Sequence, residues 1–265
     1  MLAANTDKTW EYYGKTNPYF GVLTTERFKN ENLTSDNKAA FFESGQAYLD
    51  FVFQVARESL DPSFQPKRAL DFGCGVGRLA LPLARRCGSV VGVDISDSML
   101  AEARSNCREQ GLSNATFVKG DDALSGVSGS FDLVHSFIVF QHIPPKRGEV
   151  ILQKLVDRVR DDGIGILHFT YSFGTSLSVG RRLLIEGYRL VPWLYPLRNV
   201  VKGRPFSEPM MQMNEYSLNA LFRRLQESGC HKIAIRFTET GAFGQPFYGA
   251  ILFFQKKRTD VRAYG

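Results

Sequence analysis

The sequence predicts an α/β fold in which helices cover both faces of a mostly parallel sheet. Short apolar runs alternate with longer segments that carry apolar residues at helical spacing, which is the pattern of repeated strand–helix–strand units. A glycine-rich turn, Gly73-Cys74-Gly75-Val76-Gly77, joins the first of these strands to the next helix. With 265 residues, 43% of them hydrophobic and 23% charged, the chain can bury one sizeable core.

Composition and cysteine usage argue against several classes of protein. No apolar run approaches the roughly 20 residues that a membrane-spanning helix needs, and the first residues lack the basic-then-apolar pattern of a signal peptide. The four cysteines form no Cys-x-x-Cys pair, so we predict reduced thiols and no metal site. The formal net charge of +6 is only mildly basic and does not favour a nucleic-acid partner. We therefore expect a cytoplasmic protein.

The chain before the predicted sheet divides into an aromatic segment and a long helix. Residues 1–38 carry aromatic side chains among polar ones without sustained periodicity, and they are too aromatic for a disordered tail. Apolar residues at helical spacing predict a helix over Asp36–Leu60, which Asp61-Pro62 ends. We expect the aromatic segment to pack on the rest of the protein.

The first strand–helix–strand unit is the centre of the predicted site. Ala69–Phe72 is predicted as a buried strand, Arg78–Arg86 as a helix, and Val90–Val93 as a second strand that ends on Asp94. The glycines between them allow a sharp bend and a close ligand, and the start of the helix offers unpaired N–H groups to an anion. Asp94 can accept hydrogen bonds from a ribose diol. Such a unit binds a nucleotide-like ligand at the carboxyl edge of its sheet.

The residues around the glycine turn carry a specific pattern. Asp71 stands two positions before the first glycine and completes Asp-x-Gly-x-Gly-x-Gly, whereas a dinucleotide fingerprint would need glycine at position 78, where Arg78 stands. The pattern resembles motif I of the class I S-adenosylmethionine-dependent methyltransferases, and Asp94 is similar to that family's ribose-binding acid. The resemblance implies a Rossmann-like seven-stranded sheet with an antiparallel seventh strand. It also implies S-adenosylmethionine as cofactor and S-adenosylhomocysteine as product.

The next predicted elements are a helix over Met99–Gln110 and a third strand over Ala115–Val118, followed by Gly120-Asp121-Asp122-Ala123. In the methyltransferases that the chain resembles, an acid and a small residue at this corner meet the adenine amino group. The resemblance implies that role for Asp122-Ala123, with Asp121 one residue out of step. A solvated acid in a turn is the alternative.

The fourth strand is predicted over Ser130–Phe137, with Asp132 capping the turn at its start. The resemblance implies that Ser136 and Phe137, at its carboxyl end, face the methionine part of the cofactor. Gln141 and His142 follow, near the position where the methyl group emerges. Enzymes that methylate exocyclic amines of DNA bases commonly carry Asn/Asp-Pro-Pro-aromatic after this strand. That tetrad is missing here, which disfavours a base-methylating function.

The remaining chain is predicted to complete the sheet after an insertion. Its elements are a helix over Lys146–Arg160, a fifth strand over Ile164–Tyr171, a helix over Asn214–Ser228, and two last strands over Lys232–Phe237 and Tyr248–Gln255. Four regions follow: a lid and helix over 1–60, a cofactor-binding core over 61–171, an insertion over 172–212, and the closing elements over 213–265.

The insertion joins apolar and basic residues. The apolar ones include Leu183, Leu184, Ile185, Leu190, Val191, Trp193, Leu194 and Leu197, and the basic ones are Arg181, Arg182, Arg189, Arg198, Lys202 and Arg204. Only Glu186 and Glu208 oppose them. Three interpretations stay open: a helical cap over the acceptor site, a basic amphipathic patch over residues 177–205 on a membrane surface that reaches a lipid-linked acceptor, and an oligomer interface. The arginines would also suit an acidic or phosphorylated acceptor.

The predicted site residues come from these motifs and from the N-terminal segment, which in the resembled enzymes often folds over the cofactor. The cofactor-contacting candidates are Asp71, Gly73, Cys74, Gly75, Arg78, Asp94, Ile95, Ser96, Met99, Asp121, Asp122, Ala123, Phe137 and His142, with Tyr13, Tyr19 and Phe20 as lid residues. For the lid residues, plain packing on the outer face is an equal alternative. His142 is the candidate catalytic base because its side chain titrates near neutrality. His168 lies inside the fifth strand, where we expect it to be buried.

Together these observations predict a methyltransferase that acts on a small-molecule or lipid/glycan-linked acceptor, in the cytoplasm or at the inner face of the membrane. Oxygen is the first choice for the acceptor atom and nitrogen the second. A non-catalytic protein that binds S-adenosylmethionine is the alternative from another class, and an NAD-type oxidoreductase is disfavoured by Arg78. The acceptor's identity and the number of subunits stay open.

Overall fold

The alternation of strands and helices along the chain produces one mostly parallel sheet. The computed structural model describes residues 6–173, 187, 191, 194–201, 203, 205–242 and 245–257. Within them, seven strands form one sheet in the order β3-β2-β1-β4-β5-β7-β6. The strands are β1 Arg68–Phe72, β2 Ser89–Asp94, β3 Ala115–Lys119, β4 Phe131–Ser136, β5 Val159–Phe173, β6 Lys232–Ala242 and β7 Gln245–Gln255. Strands β1 to β5 pair in parallel, and β7 runs antiparallel to both β5 and β6, as predicted.

Helices cover both faces of this sheet. The helices are α1 Thr6–Thr16, α2 Pro18–Val22, α3 Ser35–Ser59, α4 Ala80–Ala84, α5 Asp97–Glu109, α6 Pro145–Arg158, α7 Leu194–Val201 and α8 Leu218–Glu227. Because side chains alternate across a strand, Ile166 of β5 packs with α3, α4 and α5, whereas its neighbour Leu167 packs with α6 and α8. The two faces therefore form two apolar cores, and β5 contributes to both.

Some element boundaries differ from the prediction. The helix after the glycine turn spans only Ala80–Ala84 instead of Arg78–Arg86, because Gly75 and Gly77 have φ angles of +53° and +90° that no α-helix accommodates. Strand β5 is longer than predicted and begins at Val159. The closing helix begins at Leu218, where Ser217 accepts a hydrogen bond from the backbone N–H of Ala220.

The N-terminal segment, for which no periodic structure was predicted, forms α1 and α2. It builds a third apolar cluster with the start of α3, the glycine turn and α5, and the fully buried members of this cluster are Tyr13, Tyr19, Phe28, Phe41, Val76 and Met99. The expectation that this aromatic segment packs on the rest of the protein is confirmed.

Much of the predicted insertion lies outside the described residues. Its candidate residues Arg181, Arg182, Leu183, Leu184, Ile185, Glu186, Arg189, Leu190, Trp193, Lys202 and Arg204 fall there. The described part consists mainly of α7 and residues 205–212. Across the described residues, every helix is too short or too polar to span a lipid bilayer.

Asp132 has the structural role predicted for it. Its Oδ2 accepts hydrogen bonds from the backbone N–H groups of Lys67 and Arg68 at 2.8 and 2.7 Å, and Arg160 pairs with the other oxygen. One carboxylate therefore ties the entrance of β1 to the start of β4.

We expect Asp132→Ala to lower the free energy of unfolding by about 1–3 kcal/mol, since two backbone donors lose a charged acceptor. Urea denaturation followed by circular dichroism measures this change. The control is Asp157→Ala, which removes only a contact with Gln153 on the surface of α6 and should change the stability by less than about 0.5 kcal/mol. Equal losses in the two variants would contradict the structural role of Asp132.

Candidate functional site

A large cavity opens where β1, β2 and β4 end, at the carboxyl edge of the sheet. The space among its lining residues amounts to about 870 Å³, with open solvent at its mouth included. Its walls come from α1, α2, the glycine turn, the corners after β2, β3 and β4, and the start of α6. The lining residues are Thr6, Asp7, Trp10, Gly21, Val22, Phe72, Gly73, Gly75, Val93, Asp94, Ile95, Met99, Gly120, Asp121, Asp122, Phe137, Ile138, Val139, His142, Ile143, Arg147 and Ile151.

The glycine turn shapes the floor of this cavity. A Cβ atom at Gly73 would lie 2.3 Å from Val139 Cγ2, and one at Gly75 would lie 2.6 Å from Val22 Cγ2. With side chains at these positions, the turn could not approach the loop after β4 and the end of α2 as closely as it does. The N–H groups of Gly73 and Cys74 donate to the carbonyl of Val93 at 2.7 and 2.9 Å. These two hydrogen bonds fasten the turn to the end of β2; the unpaired N–H groups expected at the start of the following helix are a separate set and stay a prediction.

Asp94 stands at the end of β2 and faces the cavity. Its Oδ2 accepts the N–H of Gly75 at 2.8 Å, and its Oδ1 accepts the N–H of Ser96 at 3.0 Å. Burial raises the pKa of Asp94 to about 6, because the surrounding protein replaces water and these hydrogen bonds offset only part of the cost. Each carboxylate oxygen keeps a second lone pair for a ligand hydroxyl. The structure therefore places this predicted residue in a position to bind a ribose.

A smaller cavity adjoins the first and shares Val22, Gly73, Phe137 and Ile138 with it. Asp71, Cys74 and Arg78, three of the predicted cofactor residues, line it. The two cavities together follow the end of β1 and the start of the loop after β4.

Arg78 is the cation of the smaller cavity. Its side chain is 5% exposed, and its Nε has no hydrogen-bond acceptor among the described residues. Burial lowers the pKa of Arg78 to about 10, although Tyr48 and Asp71 favour the charged form, so the guanidinium stays cationic at neutral pH. A buried cation with an unused donor suits an anionic group such as a carboxylate.

Asp71 is committed to a buried hydrogen-bond chain. Its Oδ1 lies 2.8 Å from Nδ1 of His135, whose Nε2 lies 3.2 Å from the hydroxyl of Tyr48. This chain joins β1, β4 and α3 beneath the smaller cavity, and none of its three side chains was predicted to pair in this way.

The corner after β3 places both of its acids in the cavity wall. Asp121 accepts the N–H of Ser125 at 2.9 Å, while both oxygens of Asp122 accept from Nε of Arg147 at 2.8 Å. Arg147 also donates from Nη1 to Asp7 of α1 at 2.8 Å. Its hydrogen bonds to Asp122 and Asp7 raise the pKa of Arg147. Asp122, predicted to meet an adenine amino group, is thus also linked to α1 through its ion pair with Arg147. Ala123 does not line the cavity.

Helix α1 lines one side of the cavity and is fastened to the rest of the protein at several points. Besides the Asp7 contact, Glu11 accepts hydrogen bonds from the hydroxyls of Ser96 and Ser98, each at 2.8 Å, at the start of α5. Burial opposes ionisation of Glu11, but these hydrogen bonds outweigh it and lower the pKa of Glu11 to about 2. We call α1 and α2, which line this side of the cavity, the lid.

The predicted lid residues lie behind the cavity wall rather than in it. Tyr13 donates to the carbonyl of Pro209 at 3.1 Å, Tyr19 donates to Glu102 at 2.6 Å, and Phe20 packs beneath the ammonium group of Lys29. Trp10 and Val22 face the cavity instead. Of the other candidates, Ile95, Met99 and Phe137 line the cavity. Ser96 is fully buried and caps α5 through the N–H of Met99.

His142 lies in the cavity wall with both ring nitrogens engaged. Nδ1 donates to the carbonyl of Gln212 at 2.8 Å, and Nε2 accepts from the side-chain amide of Gln141 at 3.1 Å. The oxygen of that amide accepts from the hydroxyl of Thr170 at 2.9 Å. Burial lowers the pKa of His142 to about 4, with a small opposing effect of Gln212. The imidazole is therefore neutral at physiological pH and held as one tautomer.

His168 is buried in β5, as predicted, and is 4% exposed. Its Nε2 lies 3.0 Å from the hydroxyl of Thr238. It does not line the cavity.

Sequence reasoning missed several residues of the site. Trp10 had a signal in the aromatic character of its segment, but the residues predicted from that segment were Tyr13, Tyr19 and Phe20. Arg147 and Gln212 had none, because polar residues in loops and first turns are common on any surface. Across the described part of the chain, no group of three or more His, Cys, Asp or Glu side chains could hold a metal ion.

Comparison with known proteins agrees with this geometry. Residues 69–163 match the family model of a methyltransferase domain. This chain is similar to the structure of magnesium protoporphyrin IX methyltransferase from Synechocystis PCC 6803 with bound SAM. The alignment covers 97% of this chain and 100% of that chain, with 21% identity and a TM-score of 0.59. The alignment with the structure of phosphoethanolamine N-methyltransferase 2 from Haemonchus contortus covers 78% of this chain and 52% of that chain, with 14% identity and a TM-score of 0.56.

Curated relatives match over a shorter stretch. The 23S rRNA (uracil(1939)-C(5))-methyltransferase RlmD from Marinomonas posidonica is 31% identical over 122 residues, which are 46% of this chain and 27% of that protein. The chain spans about a quarter of the length of the curated relatives it matches. Residues 69–163 thus resemble a methyltransferase domain, and the chain has the fold of the class I S-adenosylmethionine-dependent methyltransferases.

We expect Arg147→Gln to loosen the lid, since it removes the ion pairs that join α1 to the corner after β3. Amide hydrogen exchange over residues 6–16 should become about three- to tenfold faster, as expected for the loss of partly exposed ion pairs. Hydrogen-exchange mass spectrometry of the unliganded protein measures this. Arg224→Gln, which breaks a pair with Glu149 elsewhere, should leave the α1 peptides unchanged. Unchanged exchange in both variants would mean that the other contacts of α1, such as those of Glu11 and Tyr13, are enough to hold it.

Proposed function

We propose that this protein transfers a methyl group from S-adenosylmethionine to an oxygen atom of a small-molecule or lipid/glycan-linked acceptor. The observation that carries the proposal is the pair of adjoining cavities at the carboxyl edge of the sheet, with a carboxylate at one end and a buried cation at the other. A nitrogen acceptor is the second candidate.

Each part of the cofactor has a proposed partner in the chain. Asp94 would bind the ribose hydroxyls, since both of its oxygens keep a free lone pair, and the corner at Asp121 and Asp122 would receive the adenine. Arg78, with its unused Nε donor, would bind the carboxylate of the methionine part. The glycine turn keeps the floor between these groups clear of side chains. When bound, S-adenosylmethionine supplies a methyl group on a cationic sulfonium whose departure leaves a neutral thioether.

His142 is the group best placed to take a proton from an oxygen acceptor. It lines the cavity, and its Nδ1–H is committed to the carbonyl of Gln212, so the lone pair is on Nε2. An acceptor hydroxyl would displace the amide of Gln141 from that lone pair and then donate its own proton there. The resulting imidazolium restores one positive charge to a site that loses one in the transfer. Its cost in a buried position is therefore limited.

The choice of a small acceptor rests on the enclosure of the site. Trp10 and Val22 of the lid and Ile143 beyond β4 give the cavity apolar walls, which suit a compact acceptor more than a folded nucleic acid. The matched rRNA methyltransferase shares less than half of this chain, so its acceptor is a competing hypothesis rather than a premise.

A labelled-methyl experiment tests the proposal. Purified protein would be incubated with methyl-labelled S-adenosylmethionine and, in separate reactions, a small-metabolite extract, a lipid extract and total RNA. Mass spectrometry would follow the label and the release of S-adenosylhomocysteine. Label on oxygen in the metabolite or lipid fraction supports the proposal, and label on nitrogen supports the second candidate. Label in RNA alone, or cofactor binding with turnover in no fraction, contradicts it.

We expect the affinity for S-adenosylmethionine to fall below about pH 6, because the ribose hydroxyls need the ionised form of Asp94. The group has a raised pKa in the free protein, so each pH unit below that value should weaken binding up to about tenfold. Isothermal titration calorimetry between about pH 5 and 8 measures this. Asp94→Asn should bind at least about tenfold more weakly above pH 6 and lose the pH dependence, while Asp121→Asn should keep it. A flat profile for the unmodified protein would argue against the assigned role.

We expect His142→Asn to lower kcat by about 10²- to 10⁴-fold at saturating cofactor, as is typical for loss of a general base. Its Kd for S-adenosylmethionine should change by less than about threefold, because Asp94 and Arg78 are untouched. Turnover in the extract fraction that supports activity gives kcat, and calorimetry gives Kd. His231→Asn, which alters an exposed residue before β6, is the control. If kcat is unchanged in His142→Asn, the proton goes elsewhere.

A further inference from the structure

Helix α7 presents an apolar face to solvent. Leu197, Val200 and Val201 stand at positions i, i+3 and i+4, and therefore on one face of the helix, and they are 47%, 56% and 88% exposed. Phe206, shortly after the helix, is 59% exposed. Four large apolar side chains in ten residues thus lie outside the protein core, which is the reverse of an ordinary surface helix.

The opposite side of α7 carries the buried polar contact. Asn199 is fully buried, and its Nδ2 donates to the carbonyl of Glu208 at 2.8 Å. Burying the amide and exposing the aliphatic residues is unfavourable for a protein in water. The contact of Asn199 therefore holds the helix in an orientation that leaves its apolar face open to a binding partner.

The chain around this face is basic. Residues 172–212 contain six arginine and lysine residues against Glu186 and Glu208. An aliphatic face within a basic segment is typical of a helix that lies on an anionic bilayer, where the apolar side chains enter the lipid and the cations meet the headgroups.

We propose that the α7 face, made of Leu197, Val200, Val201 and Phe206, docks the protein on the surface of an anionic membrane. The same segment continues directly to the cavity: Tyr13 of the lid donates to the carbonyl of Pro209, and the carbonyl of Gln212 holds His142. Membrane docking would thus bring the cavity wall next to the bilayer. Among the acceptor classes of the proposed function, on which this last step rests, a lipid-linked acceptor is the one this arrangement favours.

Vesicle co-sedimentation tests the docking. The full-length protein would be mixed with vesicles of phosphatidylcholine alone and with vesicles that also contain phosphatidylglycerol. We expect binding to the anionic vesicles, weakened by added salt, and little binding to the neutral ones. Val200→Asp and Val201→Asp should each weaken binding by about tenfold or more, because each removes an inserted side chain and adds a repelled charge.

Val150→Asp is the matched control, since Val150 is a 54% exposed valine on α6 and its variant should bind the vesicles unchanged. Circular dichroism would confirm that all three variants fold. Failure to bind anionic vesicles, or equal binding by Val201→Asp, overturns the proposal. A dimer in size-exclusion chromatography that Val201→Asp converts to a monomer also overturns it, because the face would then be a subunit contact. Vesicle binding needs neither cofactor nor acceptor, so its failure leaves the proposed activity standing.

Discussion

The carboxylate of Asp94 and the backbone of the glycine turn hold each other in place. Asp94 accepts the N–H of Gly75, and the carbonyl of Val93 accepts the two N–H groups before it. The turn is thereby fastened to the end of β2, and its Gly73 and Gly75 line the cavity. Burial raises the pKa of this carboxyl group to about 6, although two backbone N–H groups donate to it. Asp94 therefore fixes the turn and is also available to a ligand.

The lid depends on charges that also belong to the site. Arg147 lies between Asp7 of α1 and Asp122 of the corner after β3, while Glu11 accepts from two serines at the start of α5. Moving α1 away from the cavity would break both sets of contacts, together with those of Thr6 and Tyr13. Because Asp122 is shared, a ligand that donates to this carboxylate would compete with Arg147 and change how firmly α1 is held.

The loop after β4 carries the polar network of the acceptor side. His142, Gln141 and Thr170 form a chain of hydrogen bonds in which every side-chain donor has one acceptor, and Gln212 closes it from the segment after α7. The tautomer of the imidazole is thus set by the segment whose other end carries the exposed α7 face. Chemistry at His142 and contact at α7 are in this way properties of one stretch of chain.

Local patterns were enough to predict the order of strands and helices, the glycine turn and the position of Asp94, because periodicity and short motifs act within a few residues. The same patterns predicted that Asp132 is structural and that His168 is buried. They did not identify which N-terminal side chains face the cavity, or that the N–H groups of the turn are already paired. The partners of Asp122 and His142 lie 25 and 70 positions away, and Asp7 lies 140 positions from Arg147. Contacts over such distances exist only once the sheet has brought its edges together, so tertiary structure alone decided them.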